Sequence, residues 1–83
     1  MKKIAEFCDF EVYMDSEFKG TPYIYVHYNE DDIDGQINLI TKEIKGDFDK
    51  YLMPILADWF EHFETELLCM WNSKDLYLLP EWE

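Results

Sequence analysis

The segment from Glu30 to Thr41 has carboxylates at the spacing that a calcium-binding loop uses. Acids stand at its first, third and fifth positions (Glu30, Asp32 and Asp34), with a glycine at the sixth. Its twelfth position is Thr41, where such a loop needs a bidentate carboxylate, and its flanks alternate like strands instead of forming helices. An acidic, solvated hairpin turn is the better interpretation, so the sequence predicts no metal site and no cofactor.

The histidines and cysteines are few and poorly placed for catalysis. Asp58 and His62 stand four residues apart on a predicted helix, but a metal site needs further ligands, so a solvated polar face explains them better. Cys8 and Cys69 form no CxxC pair and have no sequence context of a nucleophile. We interpret them as two buried free thiols in a reducing compartment, because cysteine is among the residue types most often buried.

No other catalytic pattern stands out in the sequence. The many carboxylates could supply a hydrolase with an acid and a nucleophile, but a chain of 83 residues has little volume for the deep cleft that such a site needs. The glycine-rich phosphate loops and the GxSxG motif are absent from it. The sequence therefore predicts a protein that is not an enzyme.

The charge of the chain narrows its range of partners. Net charge is −12, from 19 acidic residues against 7 basic ones, and every basic residue is lysine. Nucleic-acid binders use arginine heavily to grip phosphates, so direct nucleic-acid binding is disfavoured. The stretch after Met1 has no apolar region of a signal peptide, and no apolar run approaches membrane-spanning length. These features predict a cytoplasmic protein that does not bind membranes.

Two kinds of hydrophobic period divide the chain. Alternating residues predict an antiparallel meander of about four or five strands between residues 4 and 45, because every connection is too short for a parallel crossover. From about Asp49 to Asn72 the period is that of an α-helix, and Pro54 is expected to open this helix or to kink it. An apolar tail within residues 74–83 is expected to dock on the sheet. We predict one α+β domain over residues 1–83, with the helix packed on one face of the sheet.

The clearest strand, Tyr23–Tyr28, suggests a binding surface. If Ile24 and Val26 face the helix, then Tyr23, Tyr25 and His27 lie on the open face of the sheet, near the acids Glu30, Asp32 and Asp34. Exposed tyrosines are common at binding hot spots, although ordinary cross-strand packing would also explain them. Asp58 and Glu61 add acids on the outer face of the helix. We take these eight residues as the candidate partner-binding set.

The layout of the chain resembles the family of small bacterial proteins that contain domain of unknown function 4160. The resemblance runs from Ile4-Ala5-Glu6-Phe7, through a strand that ends at Met14 and a proline at position 22, to Gly46 before the helix. Within the helix, Trp59, Glu66-Leu67-Leu68 and Trp71 look like the closing features of that family. The resemblance implies a component of a toxin–antitoxin-like gene pair.

One departure from the family pattern concerns its histidines. Members typically carry a Pro-Pro-His-Phe-His stretch where this chain has Thr21-Pro22-Tyr23-Ile24-Tyr25, with tyrosines in place of both histidines. This difference argues against metal binding or proton transfer by imidazoles at that point.

The leading hypothesis from the sequence is a small acidic interaction protein that binds a basic protein partner in a toxin–antitoxin or phage–host setting. In its strongest form, the carboxylates mimic a nucleic acid in the binding channel of a nuclease or repressor. Two alternatives stay open: a small metal-dependent hydrolase or nuclease toxin that uses the acidic turn, and a homodimer that pairs its open sheet face with itself.

Overall fold

The fold is an antiparallel sheet with one helix across one of its faces, and the computed structural model describes residues 1–80. The strands are β1 (Lys2–Phe7), β2 (Phe10–Met14), β3 (Tyr23–Tyr28), β4 (Ile33–Asn38) and β5 (Ile44–Gly46), and the helix is α1 (Leu52–Ser73). The strands lie in chain order, and each pairs antiparallel with the next. The predicted α+β class and the meander with a C-terminal helix are confirmed.

The hydrophobic core lies between α1 and the sheet. Alternate residues of the strands point into it, among them Val12, Ile24, Val26 and Ile37, all with no exposed surface. From α1, Trp59 stacks on Phe7 of β1 with ring centroids 4.7 Å apart and planes within 7° of each other. No described polar or charged side chain is buried, so apolar contact dominates this interface.

Short turns hold the strands in register. Cys8 and Asp9 form the two-residue loop between β1 and β2, and both have positive φ, as a tight hairpin with matching twist requires. The β3–β4 turn spans residues 29–32, with Asp32 in the left-handed region at φ 52°. Asp34, which the sequence grouped with this turn, is the second residue of β4.

Helix α1 begins later than predicted, and Pro54 is its third residue. The carbonyl of Asp49 accepts hydrogen bonds from the backbone N–H groups of Leu52 and Met53, which have no partner within the helix. Proline in the first turn brings no N–H that needs a partner. Pro54 is therefore not the first residue of the helix, as one prediction had it. It still lies in the first turn, where the missing N–H of proline breaks no hydrogen bond within the helix.

The tail docks as an extended segment without becoming a strand. The backbone N–H of Leu79 donates to the carbonyl of Ile4 in β1 at 2.7 Å, and the Leu79 side chain is buried. Lys2 also donates from its ammonium to the carbonyl of Leu76 at 3.1 Å. The expected docking is thus seen for residues 76–79, while residues 81–83 of the predicted tail lie outside the described part of the chain.

Candidate functional site

The sheet register places polar side chains in two neighbouring rows on the face that α1 does not cover. The acidic row contains Glu6, Glu11, His27 and Asp34, and the tyrosine row contains Lys3, Tyr13, Tyr25, Gln36 and Lys45. Neighbouring strands lie about 4.8 Å apart, and residues two apart along a strand lie about 7 Å apart. The two rows therefore form one continuous surface, which we call the open sheet face.

His27 and Asp34 stand next to each other at the β4 end of the acidic row. They stand opposite each other on β3 and β4, and His27 Nδ1 lies 2.6 Å from Asp34 Oδ1. An ionised carboxylate only accepts hydrogen bonds, so Nδ1 must carry the proton. His27 Nε2 lies 3.5 Å from Asp32 Oδ1 in the preceding turn. The hydrogen bond to Asp34, helped by the nearby charge of Asp32, raises the pKa of His27 above its usual range.

Glu11, the neighbour of His27 in this row, is held from three sides. Its Oε2 accepts a hydrogen bond from the Tyr13 hydroxyl at 2.6 Å, and its Oε1 accepts one from Asn29 Nδ2 at 2.9 Å. Lys3 Nζ approaches Oε2 at 3.6 Å. The Tyr13 and Asn29 hydrogen bonds hold the pKa of the Glu11 carboxyl below its usual range. Glu11 is thus a fixed negative charge in a part of the sheet that solvent reaches.

Tyr13 and Tyr25 form the centre of the tyrosine row. They are partners across β2 and β3, with ring centroids 5.9 Å apart and planes inclined at 56°. Both side chains are half-buried by their neighbours. A hydrogen bond to Asp34 raises the pKa of Tyr25 to about 12, and bonds from Tyr25 and His27 lower the pKa of Asp34. The carboxylate of Asp34 therefore stays ionised between two donors.

The structure brings only part of the predicted partner-binding set together. Tyr25, His27, Asp32 and Asp34 form one connected cluster. Tyr23, at the start of β3, also contacts the helix, with its ring centroid 6.1 Å from that of Trp71.

The other acidic residues of that set serve different surfaces. Glu30 accepts a hydrogen bond at 2.8 Å from the hydroxyl of Tyr28, whose ring is in the core. Asp58 and Glu61 are exposed on α1, away from the buried stripe that packs on the sheet. They therefore belong to the helix side of the sheet, whereas the open sheet face is the side that α1 does not cover.

Sequence reasoning missed Glu11 and Tyr13, although a signal for them was present. In β2, Phe10, Val12 and Met14 are buried, so the residues between them must face the other way. The same alternation that placed Tyr25 and His27 on the open face therefore places Glu11 and Tyr13 beside them. Only the β2–β3 register, which pairs Glu11 with His27, completes the acidic row.

The prediction that Cys8 and Cys69 are buried is wrong. Both thiols are free, as expected, but both are exposed. Cys8 lies in the tight β1–β2 turn, and Cys69 lies on the outer face of α1, seven residues after His62. The general tendency of cysteine to be buried is overridden in each case by the position of the residue in its element.

No protein-family profile, curated protein or solved structure matches this chain. Among residues 1–80, no helix has both the length and the apolar character that crossing a membrane requires. In the same range, no group of three or more His, Cys, Asp or Glu side chains lies close enough together to hold a metal ion. The open sheet face itself presents fixed charge, aromatic surface and hydrogen-bond acceptors.

Proposed function

We propose that the protein is an acidic interaction protein that binds a basic protein partner through the open sheet face. The observation that carries this proposal is the pairing of fixed carboxylates with half-buried tyrosines on a face that α1 leaves uncovered. Tyrosine buries a large area at low cost in side-chain entropy, and carboxylates held in place lose little freedom on binding.

Charge complementarity supports a basic partner in particular. The net charge of −12 creates a negative field that attracts basic surfaces and repels nucleic acids. On the open sheet face, Glu11 and Asp34 stay ionised throughout the neutral range because their pKa values are lowered. Such a field mainly speeds association and rejects acidic competitors. The toxin–antitoxin setting implied by the family resemblance stays a prediction, which the identity of the partner will test.

Two double variants, each of which removes two negative charges, test which surface binds the partner. Asp32→Asn with Asp34→Asn removes one charge from the open sheet face and one from the adjoining β3–β4 turn, and asparagine suits the left-handed backbone at position 32. Asp58→Asn with Glu61→Gln removes two charges from the outer face of α1. The net charge changes equally in both double variants.

The readout is capture of proteins from an extract of the source cells, followed by direct titration of the purified captured protein. We expect a basic protein that binds the wild-type chain and the α1 variant, and that binds the open-face variant at least tenfold more weakly. Loss of binding in the α1 variant alone would move the site to the helix. Equal binding by all three proteins would overturn the proposal.

Self-association through the same face is a competing outcome with its own measurement. Sedimentation of the purified chain at two concentrations should show a monomer, because like charges oppose the pairing of two such faces. A dimer that the open-face variant strengthens would show that the face binds a second copy instead of a basic partner.

A further inference from the structure

His27 lies between two carboxylates of the open sheet face. Glu11 stands opposite it on β2, and Asp34 stands opposite it on β4. We propose that a proton on His27 and the basic partner compete for the carboxylates around this ring, so that the partner binds more tightly as the pH rises and His27 becomes neutral. This inference rests on the proposed function and names how the same site is regulated.

The hydrogen bonds of the ring decide which of its nitrogen atoms gains and loses the proton. Nδ1 of His27 lies 2.6 Å from Asp34 Oδ1 and donates to it in both states of the ring, because an ionised carboxylate only accepts. The titrating atom is therefore Nε2, which lies 3.5 Å from Asp32 Oδ1. When Nε2 is protonated, the ring carries a positive charge beside Asp32. When Nε2 is neutral, it becomes a second hydrogen-bond acceptor beside that carboxylate.

The carboxylates that His27 contacts are open to solvent. The side chain of Asp32 is 91% exposed and that of Asp34 is 56% exposed, whereas that of His27 is only 23% exposed. A cation of the partner can therefore approach both carboxylates from outside. In the neutral ring, Nε2 and Asp32 are neighbouring acceptors, and an incoming N–H group can donate to either of them.

The charged groups that face His27 are acidic. They are Glu11 from β2, Asp34 from β4 and Asp32 from the β3–β4 turn, and the hydrogen bond to Asp34 is the largest cause of the raised pKa of His27. Lys3 of β1 lies 3.6 Å from Glu11 Oε2, and hydrogen bonding to a neighbouring carboxylate raises its pKa, so it stays charged. As the pH rises above 6.5, the charge of this cluster therefore changes at His27.

A blocked peptide of alternating glycine and lysine tests the competition, because lysine keeps its charge while His27 titrates. The affinity of the full chain for this peptide should rise about fivefold from roughly one pH unit below the His27 pKa, as measured by NMR, to roughly one unit above it. His27→Gln should remove this rise. His62→Gln, which removes the histidine on the outer face of α1, should preserve it.

The wild-type chain gives a second readout that needs no variant to fold. Coupling between two ligands is reciprocal, so a saturating amount of the peptide should lower the pKa of His27 by about 0.7, the logarithm of the fivefold change in affinity. The ring resonances of His27 report this change, and those of His62 should titrate alike with and without the peptide.

The outcomes separate this inference from the proposed function. An affinity that stays constant or falls as the pH rises, or a rise that survives in His27→Gln, would overturn the competition. If peptide binding still weakened in the Asp32→Asn, Asp34→Asn variant, the proposed function would stand without it. If the peptide did not bind and left the pKa of His27 unchanged, the competition would be refuted, and the captured protein alone would decide the proposed function.

Discussion

The hydrogen bond between His27 and Asp34 links the charge of the open sheet face to the stability of the sheet. It joins β3 to β4 at a distance of 2.6 Å, with Asp32 close to the other ring nitrogen. The contact is strongest when His27 is protonated and Asp34 is ionised. Its contribution to stability is therefore confined to a window of pH, set by the raised pKa of His27 and the lowered pKa of Asp34.

We expect stability to depend on pH with opposite signs on the two sides of this window. The pKa of His27 is raised on folding, so its contribution is full below the ordinary pKa of 6.5 and is lost as the pH rises through the folded value. The pKa of Asp34 is lowered on folding, so its contribution is present above the ordinary pKa of 3.8 and is lost as the pH falls through the folded value. Urea unfolding across the pH range measures both limbs.

Variants of the two histidines test whether His27 causes the loss of stability on the high-pH side, which we call the upper limb of the stability profile. His27→Gln should remove the loss of stability that sets in as the pH rises above 6.5, because the group that loses its proton there is gone. His62→Gln on the outer face of α1 removes a histidine without touching the His27–Asp34 pair and serves as the control. An upper limb that persists in His27→Gln would refute this assignment.

At the scale of elements, alternation predicts the strands well because each has one buried face. The bounds of β3 agree with the predicted strand Tyr23–Tyr28, and the five strands of the sheet agree with the predicted meander. The start of α1 was harder to predict, since a backbone carbonyl, that of Asp49, caps it instead of a side chain.

The candidate site was only half predictable. Alternation assigns each residue to one face of the sheet, but the pairing of Glu11 with His27 depends on a strand register that the sequence does not reveal.

Gly35 in β4 shows how one element constrains another. A side chain at this position would clash with the backbone carbonyl of Lys45 in β5 and with the ring of Phe48, which packs over the glycine on the core side. Gly35→Ala should therefore lower the free energy of unfolding by about 1–3 kcal/mol, the usual range for an overpacked core. Urea unfolding measures this change.

Gln36→Ala is the matched control for the glycine substitution. Gln36 is the next residue of β4, and its side chain is exposed on the open sheet face. Its loss should change the free energy of unfolding by at most about 0.5 kcal/mol, as for most surface substitutions. A Gly35→Ala variant as stable as Gln36→Ala would contradict the packing described for Phe48.

The whole molecule carries far more negative than positive charge. Its 19 acidic residues face 7 lysines, and lysine ion pairs such as Lys19–Glu17 and Lys42–Glu64 lie at the surface. Exposed pairs of this kind contribute at most about 1 kcal/mol each. Folding brings the like charges of a chain of net charge −12 closer together, and we expect this self-repulsion to outweigh what these pairs contribute.

Added salt should consequently stabilise the fold. Raising sodium chloride from about 20 to about 200 mM shortens the screening length and weakens the repulsion more than it weakens the few ion pairs. We expect the melting temperature to rise, by a few degrees if the gain is about 1 kcal/mol. A melting temperature that falls with salt would mean that ion pairs, and not repulsion, dominate the surface.

The central claim is that the open sheet face binds a basic protein electrostatically, and the salt dependence of that binding tests it most directly. The affinity of the purified partner should be measured between about 50 and 300 mM salt for the wild-type chain and for the Asp32→Asn, Asp34→Asn variant. The account predicts that wild-type affinity falls steeply with salt and that the variant shows a weaker, flatter dependence. An affinity that does not change with salt, or a slope that the variant leaves intact, would contradict it.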